Sequence, residues 1–327
     1  MTAHVLFNPA ARGGRNRALR PLLARRLAEA GVDAEVWETA APGDAERMAR
    51  AIGEDGGLVV VAGGDGTVHE VANGLVGTDG SLAVLPLGTG NDFAHALGVA
   101  DDLAEAARQL AAATPRPADV GRVRWTDAAG ETHVRVFANG LGAGFDARVA
   151  ALASETKWLG GQAAYLAAVF RVLWAWRRPA LRARVQTVVP EGAASAGPSG
   201  GPPDGGPTAG ALDVEGSLFL CEVGNGHSAG GGFLLTPDAV VDDGLLDVCH
   251  VRHLPTRRAL RLLPQTFSGA HVAAPEVTMA RVTALTLAVE PAVGLHADGE
   301  ILTADAVAVE VEVLPGALTV VAPERRG

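Results

Sequence analysis

The stretch Val59-Val60-Val61-Ala62-Gly63-Gly64-Asp65-Gly66-Thr67-Val68-His69-Glu70-Val71 constrains this chain more than any other. A run of β-branched and small apolar residues stops at Gly-Gly-Asp-Gly-Thr. Val68, Val71, Ala72 and Leu75 then recur on one helical face, so the stretch reads as strand, tight loop, helix. Glycines around a single acid let backbone N–H groups approach an anion at φ/ψ values that other residues resist. The helix opening near Thr67 adds its positive N-terminal end, which makes phosphate a natural ligand. Asp65 would repel that phosphate unless a hard divalent cation stood between them; Mg²⁺ held by one or two carboxylates plus substrate phosphates is the usual arrangement. A glycine-rich turn with a helix-capping Asp would use the same five residues. Against it stands a second loop of the same kind: Ser81-Leu82-Ala83-Val84-Leu85-Pro86-Leu87 is another short strand that runs into Gly88-Thr89-Gly90-Asn91-Asp92-Phe93-Ala94. In an open parallel sheet two such loops lie on one edge, where ligands bind.

The surrounding pattern supplies that sheet. His4 to Phe7 and Ala34 to Trp37 read as strands, helical spacing follows each, and the β-α alternation runs to Gly88. Leu103 to Ala113 is a further helix, closed by Pro115 and Pro117. Asp119 to Trp125 and His133 to Ala138 then form a hairpin, and most later apolar runs are short and strand-like, which places a domain boundary near Arg122. Two helical stretches interrupt the second part, Ala147 to Ala153 and Gly161 to Arg178. They carry Trp158, Tyr165, Phe170, Trp174 and Trp176 beside several arginines. Aromatic rings next to arginine suit a membrane interface, but the periodicity favours an amphipathic helix packed on the sheet with its arginines in water. From Glu191 to Leu212, 18 of 22 residues are Gly, Pro, Ser or Ala, a composition expected to form a flexible loop. Pro237 to Asp247 is a carboxylate-dense turn, as suited to a hairpin as to a hard cation. Near the end, Leu285 to Val289, Val307 to Val313 and Ala317 to Val321 read as strands, with an acidic turn at His296-Ala297-Asp298-Gly299-Glu300.

Composition narrows the function. A length of 327 residues suggests two domains, and a net charge of −10 argues against a generic grip on nucleic acid. Lys157 is the only lysine and lacks a glycine frame, which removes a Walker A loop, and no glycine loop satisfies G-x-G-x-x-G. Cys221 and Cys249 lie in apolar runs and read as buried thiols of a reduced compartment, with a disulfide left open. The chain opens directly into a strand without a signal-peptide pattern, so a cytoplasmic protein is expected.

Taken together, the loops resemble those of the diacylglycerol kinase catalytic domain family, soluble bacterial lipid kinases related to sphingosine and ceramide kinases. The matching pieces are Asn8-Pro9, Gly63 to Thr67, Leu87 to Ala94, Asn139 through Phe145-Asp146-Ala147, Gly224-Asn225, Gly230 to Gly232, Pro237 to Asp247 and Asp298-Gly299-Glu300, in family order across nearly the whole chain. The resemblance implies an α/β nucleotide-binding domain like that of NAD kinase and phosphofructokinase, at residues 1–122 plus about 316–327. A mainly antiparallel β-sandwich domain would follow at 123–315, with the insertion 191–212. It further implies ATP lined by Asn8, Pro9, Thr39, Gly63, Gly64, Asp65, Gly66, Thr67, Glu70, Thr89 and Asn91. A catalytic Mg²⁺ would sit at Asp65 and Asp92, Glu300 would be the general base, and a structural Mg²⁺ would be held by Asp243 with the carbonyls of Val240 and Leu245. The implied reaction is ATP-dependent phosphorylation of a lipid hydroxyl at the inner face of the membrane, with diacylglycerol favoured as substrate. Other lipids, NAD, and a non-catalytic sensor are the rival readings. Exposed edge strands could pair into a homodimer. Arg12 departs from the family, standing where a glycine is usual, and Gly13-Gly14 could compensate.

Overall fold

The computed structural model describes residues 2–155, 161–175, 181–188 and 213–324. It begins with an α/β unit. Strands β1 (Ala3–Phe7), β2 (Ala34–Glu38), β3 (Leu58–Gly63) and β4 (Ser81–Pro86) alternate with helices α1 (Arg20–Glu29), α2 (Asp44–Glu54), α3 (Asp65–Leu75), α4 (Asp92–Ala96) and α5 (Leu103–Ala112). The strands pair in parallel in the order β2-β1-β3-β4, and β3 and β4 are in register so that Gly63 stands opposite Pro86. Both glycine loops therefore leave the sheet side by side. Val59, Val60, Val61, Leu82 and Leu85 are fully buried, because a strand covered by helices on both faces has no polar side.

The rest is mainly antiparallel. Strands β5 (Thr114–Asp127), β6 (Thr132–Phe137), β7 (Gly140–Gly144), β8 (Leu181–Val188), β9 (Asp213–Gly224), β10 (Leu246–Arg252), β11 (Val277–Val282), β12 (Ala284–Ala297) and β13 (Glu300–Ala322) carry helices α6 (Phe145–Glu155), α7 (Gly161–Ala175) and α8 (Thr256–Leu262). The two strands expected at Val307 to Val313 and Ala317 to Val321 are one, β13. Its register against β5 shifts between Leu314 and Leu318 instead of breaking, because antiparallel pairing with β5 runs along both halves. Pro115 and Pro117 likewise sit inside β5. Short apolar stretches around a turn also concealed α8, which was not expected. The expectations for Trp158, Trp176 and the insertion 191–212 lie outside the described residues, as does the side chain of Tyr165.

Strands β5 and β13 join the two units. Ala118 and Val120 of β5 pack in the α/β core while Val123 and Trp125 pack in the second core; on β13, Val309 to Val313 belong to the second core and Leu318 to Val321 to the first. The end of β13 lies parallel to β4, Thr319 opposite Ser81. Cys221 and Cys249 are free, buried thiols.

Candidate active site

The two glycine loops touch backbone to backbone. A Cβ built on Gly64 would lie 3.0 Å from the Gly88 Cα, so a side chain at either position would push the loops apart. Asp65 opens α3 and turns its carboxylate onto the second loop, accepting the Asn91 N–H at 2.8 Å and, less directly, the Phe93 N–H at 3.4 Å. Asn91 adopts left-handed φ/ψ, and its own Oδ1 accepts the Gly88 N–H. Asn8 closes the far side: its Oδ1 takes the amides of Ala10 and Ala11, and its Nδ2 donates to Thr67 Oγ1 at 3.0 Å.

These loops floor a cleft of about 1610 Å³ between the two units. Asn8, Thr39, Gly64, Asp65, Gly66, Thr67, Glu70, Thr89, Asp92 and Glu300 line it. Pro9, Gly63 and Asn91 are not among its lining residues. Pro9 is buried, Gly63 ends a covered strand, and the Asn91 side chain is used inside its own loop, so these residues shape the cradle from behind. Glu70 is also partly committed, accepting the Ala45 N–H in the first turn of α2. Arg12 and Arg15 add cations to the rim, and Arg12 holds left-handed φ/ψ (54°, 34°) in a run continued by Gly13 and Gly14.

The two acids expected to share a cation converge. A Cβ on Gly90 would lie 2.8 Å from Asp65 Oδ2 and 3.1 Å from Asp92 Oδ2. Burial, reinforced by the Asp92 charge, raises the Asp65 pKa to about 7, so a cation here would relieve a carboxylate that otherwise resists ionisation. This donor set fits a hard divalent ion. Asp92 contributes less freely, since its two oxygens accept from Ser228 Oγ and from the amides of Gly231 and Gly232, using three of about four acceptor sites. It thereby ties α4 to the loop after β9.

Glu300 reaches the cradle from the other unit. A methyl group on Gly66 would overlap Glu300 Oε1, so the acid rests against the first turn of α3. Its turn is held by Asp298, which the sequence marked only as half of an acidic pair. Asp298 is buried with positive φ, and its carboxylate accepts the amides of Ala138, Asn139 and Gly140 while its Oδ2 lies 2.9 Å from His69 Nδ1. All its acceptor capacity is used, so it anchors the turn that carries Glu300.

At the expected structural cation site Asp243 already meets an arginine. Asp243 Oδ1 accepts the Leu245 N–H, its Oδ2 is ion-paired with Arg281, and the neighbouring Asp247 carboxylate is 3.6 Å from the same guanidinium. Arg281, on β11, thus sets a positive charge beside Asp243, from a strand that no local pattern linked to this turn.

A second, apolar pocket adjoins the cleft. Phe145, Val169, Leu173, Phe219, Leu254 and Leu262 are among its walls, and Asp146 lines it while its partners Glu222 and His296 line the cleft. Its helix α7 buries Val169 and Leu173 and exposes Arg171, as the amphipathic reading expects, but the outer face also carries exposed Phe170 (53%) and Trp174 (88%). Among the described residues, no helix is long and apolar enough to cross a membrane.

Comparison with known proteins agrees with this architecture. The family model described as "Diacylglycerol kinase catalytic domain" matches residues 2–123, and that described as "YegS C-terminal NAD kinase beta sandwich-like domain" matches residues 139–322. A Chromohalobacter salexigens protein named "Probable lipid kinase YegS-like" is 32% identical over 91% of this chain and 87% of its own length. A Mycobacterium tuberculosis protein named "Diacylglycerol kinase" is 31% identical over 84% of this chain and 80% of its own. A crystal structure of a Bacillus anthracis protein superimposes with a TM-score of 0.72 at 24% identity, covering 98% of this chain and 95% of that one, and so shares the fold. An α/β unit followed by a β sandwich-like unit, matched by both domain models in order, makes this chain a member of the diacylglycerol kinase and YegS-like lipid kinase family.

Proposed function

We propose that the protein transfers the γ-phosphoryl group of ATP to the hydroxyl of a membrane lipid, with diacylglycerol as the favoured acceptor and phosphatidic acid as product. The observation that carries this reading is the pairing of two cavities. The polar cleft holds the amide cradle, Asp65 and Glu300, and across the buried Asp146, Glu222 and His296 cluster lies an apolar pocket. An amphiphile that offers a hydroxyl to the first and a short apolar segment to the second matches the chemistry of both linings. The name of the Mycobacterium tuberculosis relative supports diacylglycerol.

Phosphoryl transfer needs positioning, charge neutralisation and removal of a proton. The loop amides around Gly64, Gly66, Thr89 and Gly90, at the N-terminus of α3, would bind the phosphates. Mg²⁺, held by Asp65 beside Asp92, would supply charge neutralisation when bound. Glu300, resting on Gly66, would take the proton of the lipid hydroxyl, with His69 and Asp298 fixing its turn. The exposed Phe170 and Trp174 would seat the pocket side on a bilayer, bringing the protein to the inner face of the membrane as a peripheral enzyme.

The test is transfer of label from γ-labelled ATP with Mg²⁺ into mixed micelles that each offer one lipid, with NAD as soluble control. Label in phosphatidic acid is the expected result. Label in another lipid keeps the mechanism and changes the substrate, whereas label in NAD alone or nowhere removes the proposal.

A further inference from the structure

Strand β7 reads Gly140-Leu141-Gly142-Ala143-Gly144, and its two neighbours place acid and imidazole opposite its glycines. Glu222 of β9 and His296 of β12 are both paired in register with Gly142, one on each side, so the three residues form a row across the sheet and share one face. Asp146, from the first turn of α6, fills the space that the missing side chain leaves: a Cβ on Gly142 would overlap both Asp146 Oδ2 and His296 Nε2. One ligand atom from each of Asp146, Glu222 and His296 lies within 4.8 Å of the others.

All three residues are more than nine-tenths buried, at 4%, 2% and 7% exposure. Each also carries an atom with no hydrogen-bond partner: Asp146 Oδ1, Glu222 Oε2 and His296 Nδ1. Beyond Asp146, the charges bearing most on Glu222 are those of Asp92 and Asp298, all acidic. Two carboxylates buried side by side need a cation or a shared proton. The cluster is packed too closely for a lipid head group, but Asp146 Oδ2 and His296 Nε2, hydrogen-bonded at 3.2 Å, are spaced as two adjacent ligand atoms of one ion beside them would be.

The geometry points to a divalent transition-metal site formed by Asp146, Glu222 and His296, separate from the cation expected at Asp65. One imidazole with two carboxylates suits Mn²⁺ or Zn²⁺ better than Mg²⁺, which favours an all-oxygen shell. The site joins α6 to β7, β9 and β12 between the cleft and the apolar pocket.

Pulsed EPR of the full chain, stripped with chelator and titrated with Mn²⁺ in the absence of nucleotide and lipid, tests this directly. Failure here is thus distinct from failure of the lipid kinase reading. Wild type is expected to show nitrogen modulation from a bound imidazole. The more exposed group Asp127, Glu131 and His133 could also hold an ion, so His133→Gln serves as control and should keep the signal. His296→Gln should lose it. Glu222→Gln should keep the signal at saturation and bind Mn²⁺ roughly 100-fold more weakly. Nitrogen modulation persisting in His296→Gln, or missing from wild type at saturating Mn²⁺, overturns the proposal, the second outcome meaning that protons balance the carboxylates. If His296→Gln fails to fold, Glu222→Gln decides, and unchanged Mn²⁺ affinity there overturns it equally.

Discussion

Glu300 is the acid whose removal should separate chemistry from binding. It touches Gly66 but is not part of the amide cradle, so Glu300→Gln is expected to lower kcat roughly 10²- to 10⁴-fold, the usual contribution of a general base, with nucleotide affinity nearly unchanged. Single-turnover phosphorylation and a nucleotide titration on the same variant check both halves; unchanged turnover would remove Glu300 from the mechanism. Arg12 makes a different residue-level case. A non-glycine side chain in left-handed φ/ψ is strained by about 1–2 kcal/mol, partly offset in a glycine variant by its greater unfolded-state entropy. Arg12→Gly is therefore expected to raise stability by up to about 1 kcal/mol in urea denaturation. Because Arg12 lines the cleft, the same variant should bind ATP more weakly.

At the scale of elements, α7 serves two surfaces. Val169 and Leu173 wall the apolar pocket, while Phe170 and Trp174, one helical turn apart, face outward. Replacing both outward residues by serine is expected to weaken binding to anionic vesicles about tenfold or more per side chain, from the apolar area no longer buried. The midpoint of thermal unfolding should stay close to that of wild type, since exposed substitutions rarely shift stability by more than about 0.5 kcal/mol. Vesicle sedimentation alongside calorimetry measures the pair of effects, and equal vesicle binding would assign these aromatics no role at a membrane. The turn between β12 and β13 is an element of another sort. Four hydrogen bonds to Asp298 hold it, which explains how an exposed Glu300 keeps a defined position against α3.

For the whole molecule, buried acids set the response to pH. Burial raises the Asp247 pKa to about 7, although Arg281 pulls it down. Unfolded, it would titrate near 4, so between about pH 4 and 7 the folded chain holds a proton that the unfolded chain has released. Stability contributed by this group therefore falls as pH rises through that window. Asp247→Asn is expected to make the fall shallower by up to about 1.4 kcal/mol per pH unit, read from urea midpoints between pH 5 and 7. A slope identical to that of wild type would show that Asp247 titrates normally.

Local physics made part of this molecule legible before any contact was known. Apolar runs that stop at glycine, each followed by an acid, need nothing beyond local periodicity and turn chemistry, and so β3, α3, β4 and both glycine loops could be read directly. The same reading put the two loops on one sheet edge, and the family resemblance paired Asp65 with Asp92. Tertiary structure alone decided the rest, because register and packing bring together residues that are far apart in the chain. Arg281 stands on Asp243, His69 on Asp298, and Asp146, Glu222 and His296 around one glycine. A buried acid takes its role from whichever donor or cation the fold sets against it, and no window of sequence contains that partner.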